Sequence, residues 1–165
     1  MKMLALSLWQ PWASLVALRV KRCETRSWSM AHRGHLLIHA ARRKMDDVGL
    51  RLLKRLAADR DSRVRAAARQ ILADPAYGAL VCRVTVMDCR PTVGATTSEL
   101  EWSLGDWRGG RYALEMGELV PFAKPISCRG RQGLWMQDVP NWVHDAFIGN
   151  QRLGASDGRG CEERV

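Results

Sequence analysis

The chain has 165 residues, 47% of them apolar and 26% charged, with seven tryptophans. That is enough for one domain of ordinary size with its own core, and it argues against both wholesale disorder and two independent domains. Lys and Arg outnumber Asp and Glu by 26 to 17, a formal charge of +9, which favours a polyanionic partner such as nucleic acid, although a protein with many surface arginines carries the same excess.

No stretch approaches the ~18 apolar residues of a membrane span. The opening MKMLALSLWQPW sets Trp9, Gln10 and Pro11 where a signal peptide needs its apolar run, so the expected location is cytoplasmic. Cys23, Cys82, Cys89, Cys128 and Cys161 are scattered, with no CxxC pair, and are expected as reduced thiols.

In chain order, Met3 to Leu8 is a short apolar strand, and Gln10-Pro11-Trp12-Ala13 opens a helix that ends near Leu18. Alternation over Arg22 to Trp28 predicts a strand with Glu24, Arg26 and Trp28 on one face and Cys23, Thr25 and Ser27 on the other. After a turn at Ala31-His32-Arg33-Gly34, the bounded run His35 to Ala40 reads as a strand, with His35 and His39 pointing the same way. From Arg42 to Ala73 the pattern is helical. One stripe is Leu52, Leu53 and Leu56, the other Val64, Ala68, Ile71 and Leu72, with Asp59-Arg60-Asp61-Ser62 between them.

Asp74-Pro75 stops the second helix. Tyr77 to Asp88 is a long strand, Gly105 to Gly110 a glycine-rich loop and Arg111 to Pro121 another strand. Cys128-Arg129-Gly130-Arg131-Gln132-Gly133 forms a basic loop entering Leu134-Trp135, and Asn141 to Phe147 a short closing helix. The tail, 151–165, lacks apolar spacing and is expected to be disordered. Strands interrupted by one helical segment, without βαβ alternation, predict an α+β barrel.

The succession SLWQPWASLV, VKRCETRSW, RGHLLIHA, GRYALEM and PISCRGRQGLW resembles the ASCH family, including the branch similar to the endothelium and lymphocyte-associated ASCH proteins and bacterial ASCH proteins. The resemblance covers roughly residues 3 to 140, apart from a helical insertion at about 44–75. It implies a single ASCH domain over 1–150 with a PUA-like fold: a mixed β-barrel with flanking helices, whose basic cleft takes RNA or a modified nucleobase. The family signature GxKxxExR is matched by Lys21, Glu24 and Arg26, but Arg19 holds the glycine position, so either the preceding loop differs in shape or Arg19 itself enters the cleft.

Some relatives implied by the resemblance are hydrolases, namely N4-acetylcytidine amidohydrolases and nucleases, and Lys21 matches the amidohydrolase lysine. The threonine expected three residues on is replaced by Glu24, and Thr25 should face the other way. Glu99, Glu101 and Glu115 remain open as a further carboxylate. Lys21 and Glu24 are thus the candidate catalytic pair through proton transfer, against the reading of an ion pair that closes the barrel mouth.

The expected recognition set is Gln10, Arg26, Trp28, His39, Arg129 and Arg131. Arg129 and Arg131, in a loop with two glycines, suit a phosphate clamp, though a solvated basic turn fits as well. His39 reads either as a polar group lining the cleft or as a hydrogen-bonded core histidine. His32, His35 and His39 complete no metal motif, and no P-loop or dinucleotide pattern calls for a cofactor. Most of the seven tryptophans are expected in the core, with Trp12 on a helix and Trp135 on a strand as packing residues, while Trp9 and Trp28 are the better candidates for base stacking.

The helical stretch from Arg42 to Arg69 carries ten of the 26 basic residues, which either extend a phosphate track or form a solvated face. RNA or a modified nucleoside is the expected partner, DNA a further one, and a membrane none. A hydrolase and a protein-interaction adaptor are the competing functions.

Overall fold

The computed structural model describes residues 1–141 and 143; most of the expected closing helix, with Trp142, and the tail with Cys161 lie outside them. The strands are β1 (Lys2–Leu8), β2 (Cys23–Arg26), β3 (Gly34–Ala40), β4 (Ala79–Pro91), β5 (Tyr112–Ser127) and β6 (Leu134–Asp138). The helices are α1 (Trp12–Ala17), α2 (Asp47–Leu56), α3 (Ser62–Ala73) and α4 (Glu99–Leu104). One 6-stranded mixed sheet has the order β2-β5-β4-β3-β1-β6, with β1 and β3 parallel and the other pairs antiparallel.

This is the expected α+β architecture, with its sheet curled rather than flat. Four strand spacings separate β2 from β1, ~19 Å in a flat sheet. Yet Arg26 Nη2 on β2 donates to the Ser7 carbonyl on β1 at 2.9 Å. Only a sheet rolled towards a barrel closes that gap.

Alternation sorts the strand residues between two faces. Leu6, Leu8, Leu36, Ile38, Val84 and Leu114 point inward and pack on Ala13 and Val16 of α1. Met3, Ala5, Leu37, Leu80, Phe122 and Trp135 pack on the outer face. A third cluster joins Leu15 of α1 to Leu53 and Leu56 of α2, Val64 and Ile71 of α3, and Leu104 of α4.

The insertion folds as read, with Asp46 and Asp61 capping its two helices through their carboxylates and Asp74 ending the second. Leu72 departs from the expected stripe, being 38% exposed, while Ala67 is buried in its place. Helix α4 was not expected as an element, although Ser98 with Glu101 three residues later is a capping signature, and Ser98 Oγ accepts from Glu101 N at 3.2 Å. Strand β5 also runs longer than its apolar pattern, to Ser127. No helix among the described residues is long and apolar enough to cross a membrane.

Candidate functional site

Helix α1 ends in a backbone motif that sets up the site. Val20 N donates to the Leu15 carbonyl and Arg19 N to the Val16 carbonyl, both at 2.9 Å, and Leu15 and Val20 share a hydrophobic cluster. These are the paired bonds and apolar contact of a Schellman ending, whose turn residue takes a left-handed conformation that glycine adopts most readily. Arg19 sits at that turn with φ 63°. The loop therefore keeps the shape a glycine would give it, and the side chain gained there reaches across to β5, where Nη2 donates to the Leu119 carbonyl at 2.8 Å.

Two residues on, Lys21 is 2% exposed. Its Nζ donates to the Leu104 carbonyl at 3.1 Å and lies 3.5 Å from Glu24 Oε2. Trp12 Nε1 donates to that same carbonyl at 3.0 Å. An ammonium has three N–H groups, and among the described residues two of those of Lys21 meet an acceptor.

Glu24 is opposite Leu114 in the register of β2 and β5, which puts it on the inner face of the sheet. Its other oxygen lies 3.3 Å from Arg26 Nε, so one carboxylate bridges two cations. Arg26 continues to the Ser7 carbonyl. Thr25 points away, as its place in the alternation requires, and its hydroxyl accepts from Asp106 N at 2.9 Å.

Glu101, one of the carboxylates left open by the sequence, is buried. It accepts from the backbone N–H groups of Arg22 and, at 3.2 Å, of Cys23, fixing the entry to β2. Burial first, with Glu101 and Glu115 adding to it, pushes the Cys23 thiol up to about 11, so it stays protonated at neutral pH and is no nucleophile. Glu115 instead pairs with Arg90 at 2.9 Å on the surface.

A cavity of about 290 Å³ adjoins Lys21. Val16, Val84 and Met116 give it apolar walls, while Arg19, Arg22 and Glu118 supply its polar groups. The wall on β5 exists because the β4–β5 register shifts between Arg83 and Thr85, and Glu118 takes φ 36° there. Its size is at the low end for small-molecule sites, roughly 300 Å³ and upward, and its mixture of apolar wall and few polar groups is typical of them.

His39 faces outward with Leu37, on the side of the sheet opposite Glu24. It is 1% exposed and meets the Trp135 ring edge-on at 5.7 Å. Its Nε2 lies 3.3 Å from the Cys128 carbonyl and its Nδ1 3.1 Å from Ser7 Oγ, which also donates to the Arg131 carbonyl at 2.9 Å. Desolvation holds the imidazole below its ordinary pKa. This polar cluster docks the basic loop: Gly130 lies so close that an added Cβ would come within 2.3 Å of His39 Cε1. Arg129 and Arg131 remain exposed, and neither forms an ion pair among the described residues.

Ser7 is therefore where the two halves of the expected site meet, its carbonyl held from the inner face and its hydroxyl from the outer. Gln10 is 1% exposed, and its amide is spent on Ser14 and on the Ala76 carbonyl, tying α1 to the end of the insertion. Trp28 is partly buried against the inner core. Trp9 is 52% exposed, with the Arg43 guanidinium 4.0 Å above its ring.

The sequence left Glu101 as one of three open carboxylates and did not mark Arg22, Glu118 or Ser7. The ASCH domain family model matches residues 6–120, a span that includes Lys21, Glu24, Arg26 and the cavity. No curated protein matches the chain.

Proposed function

This chain belongs to the ASCH family, and from that premise we propose that it binds RNA and takes one unstacked or modified base into the cavity beside Lys21. The observation that carries the reading is the buried ammonium itself. It is held in place by Leu104 and Glu24, it borders an apolar-walled cavity, and it retains an N–H with no acceptor among the described residues. A base carbonyl or ring nitrogen is the acceptor such a donor suits, and extruded bases are read in this way, by edge hydrogen bonds within a snug pocket.

Three further features support RNA as the polymer. The net charge is +9. The Arg129–Arg131 loop is pinned to the sheet with its two guanidiniums exposed, so the charges stand on a rigid base. Trp9, exposed and braced by Arg43, offers a stacking surface at the same end of β1 as Ser7.

The close Lys21–Glu24 pair favours hydrolysis as the second reading. Against it stand the Thr25 hydroxyl, which turns away from the pair and accepts from Asp106 N, and the Cys23 thiol, which burial keeps protonated at neutral pH. A hydrolase here would have to use water.

Fluorescence anisotropy of labelled single-stranded RNA across a salt series, with parallel assays for RNA cleavage and N4-acetylcytidine deacetylation, separates the readings. Wild type should bind without forming product. Arg129→Ala/Arg131→Ala should flatten the salt dependence by about 0.7 for each phosphate that is no longer neutralised, and Lys21→Met should weaken binding while preserving the circular dichroism spectrum. Product that vanishes in Lys21→Met would make the protein a hydrolase, and absence of binding at low salt would overturn the proposal.

A further inference from the structure

Arg19 is a charged residue in the left-handed conformation that L-residues seldom adopt, at a position where the family signature has glycine. Conformations of this kind persist where the surrounding structure fixes them, and they cluster at active sites and ligand clamps. Arg22, three residues on, is likewise exposed, and both residues line the cavity beside Lys21. They also line a second cavity of about 550 Å³, between the end of α1, α3 and the start of α4. Arg19 and Arg22 are therefore shared by the linings of the two spaces.

Neither arginine forms an ion pair among the described residues. Arg19 spends one N–H on the Leu119 carbonyl, and Arg22 engages Glu101 and Met116 through its backbone alone. The carboxylates bordering these spaces are already occupied. Glu118 accepts from Thr85 Oγ1 at 3.1 Å, Glu101 from the N–H groups of Arg22 and Cys23, and Asp61 pairs with Arg63 at 3.2 Å. The residues shared by the two linings thus keep the Arg22 guanidinium and the remaining N–H groups of Arg19 for an anion, and guanidinium groups match phosphate oxygens in pairs.

We infer that Arg19 and Arg22 hold the phosphate of the nucleotide whose base enters the cavity beside Lys21, so that the ligand is a nucleoside phosphate rather than a free nucleoside or base. This rests on the reading of that cavity as a base site. The phosphate has two chemical sources, a free 5′-mononucleotide or the backbone of an RNA strand, and a guanidinium pair serves either.

The test is isothermal titration of wild type, Arg19→Gly, Arg19→Ala and Arg22→Gln with the four ribonucleoside 5′-monophosphates, the matching nucleosides and ribonucleotide trimers. For wild type, the preferred base should bind about tenfold or more tightly as its phosphate than as its nucleoside, the effect of a charge-assisted hydrogen bond. That preference should collapse in all three variants. Tight binding of trimers but not of monophosphates would assign the phosphate to an RNA strand, and tight binding of both to a free nucleotide; either supports the inference.

Thermal melting separates this role from a structural one. Arg19→Gly relieves the left-handed turn and Arg19→Ala does not, so the glycine variant should melt above the alanine variant while both lose the same affinity. Affinity that falls only in the less stable variant would overturn the inference. So would equal binding of nucleotide and nucleoside by a wild-type protein that still binds RNA, which leaves the base site standing. Failure to bind any base, nucleotide or RNA would remove the base site and this inference together.

Discussion

Substitution of Gly130 by alanine tests whether the basic loop is a built platform. An added Cβ would sit 2.3 Å from His39 Cε1, 2.6 Å from its Nδ1 and 2.9 Å from Ser7 Oγ, whereas carbon atoms in contact prefer about 3.5–4.0 Å. His39 cannot retreat, because its strand is paired with β1 on one side and β4 on the other. The loop must therefore move by ~1 Å or more. That displacement stretches the Ser7–Arg131 bond of 2.9 Å and the His39–Cys128 bond of 3.3 Å.

Each such bond contributes about 0.5–1.5 kcal/mol net, and overpacking a filled site costs about 1–3 kcal/mol. A loss of about 2 kcal/mol in urea unfolding is expected, or a fall in Tm of roughly 4–8 °C for a chain of this length. Gly109→Ala is the control, since its Cβ would meet only Val93 Cγ2 at an ordinary 3.7 Å. If Gly130→Ala unfolds with wild type and with that control, the loop is not held against His39 and Ser7, and the argument for a rigid phosphate clamp fails.

Two other substitutions probe the supports of the site. The His39 imidazole is held below its ordinary pKa of 6.5 by desolvation, so the unfolded chain takes up a proton first; stability from this group is complete above pH 6.5 and is lost as pH falls from there towards the folded-state pKa. Urea titrations between pH 5 and 8 should show that slope in wild type, and it should be reduced in His39→Leu; an identical slope in both would refute the assignment. Glu101→Gln removes the charge that accepts the Arg22 and Cys23 amides and should cost about 1.5–3 kcal/mol in chemical denaturation. Amide hydrogen exchange should show the loss of protection concentrated at the start of β2, and a uniform change across the sheet would contradict that role.

Much of the fold was legible because its elements announce themselves locally. The apolar runs at Met3 to Leu8 and His35 to Ala40 and the leucine stripe of α2 each reflect a periodicity carried by a few neighbouring residues. The Asp74-Pro75 stop rests on a backbone restriction equally local. The alternation of β2 also foretold that Thr25 would turn away from Glu24.

The capping pair Ser98 and Glu101 was present in the sequence, but a helix as short as α4 carries too little apolar repeat to stand out. The signature residues marked the neighbourhood of the site without its shape. Gln10 stood in the expected recognition set, yet its amide is consumed between Ser14 and Ala76.

What the sequence determined alone was the order of the first five strands and the first three helices, the basic balance, and the identity of Lys21, Glu24 and Arg26 as residues of one neighbourhood, because each depends on spacing within a few positions. Tertiary structure decided what those residues touch. Lys21 is held by a carbonyl 83 positions away and the entry to β2 by a carboxylate 79 away, contacts that no local pattern encodes. The curl of the sheet carried Arg26 to Ser7, and strand alternation combined with that curl put His39 on the opposite face. Arg19 shows the division within one residue: its position in the signature was readable, but its left-handed turn and its place in the linings of two cavities followed only once α1 had docked against the sheet and the insertion had closed over it.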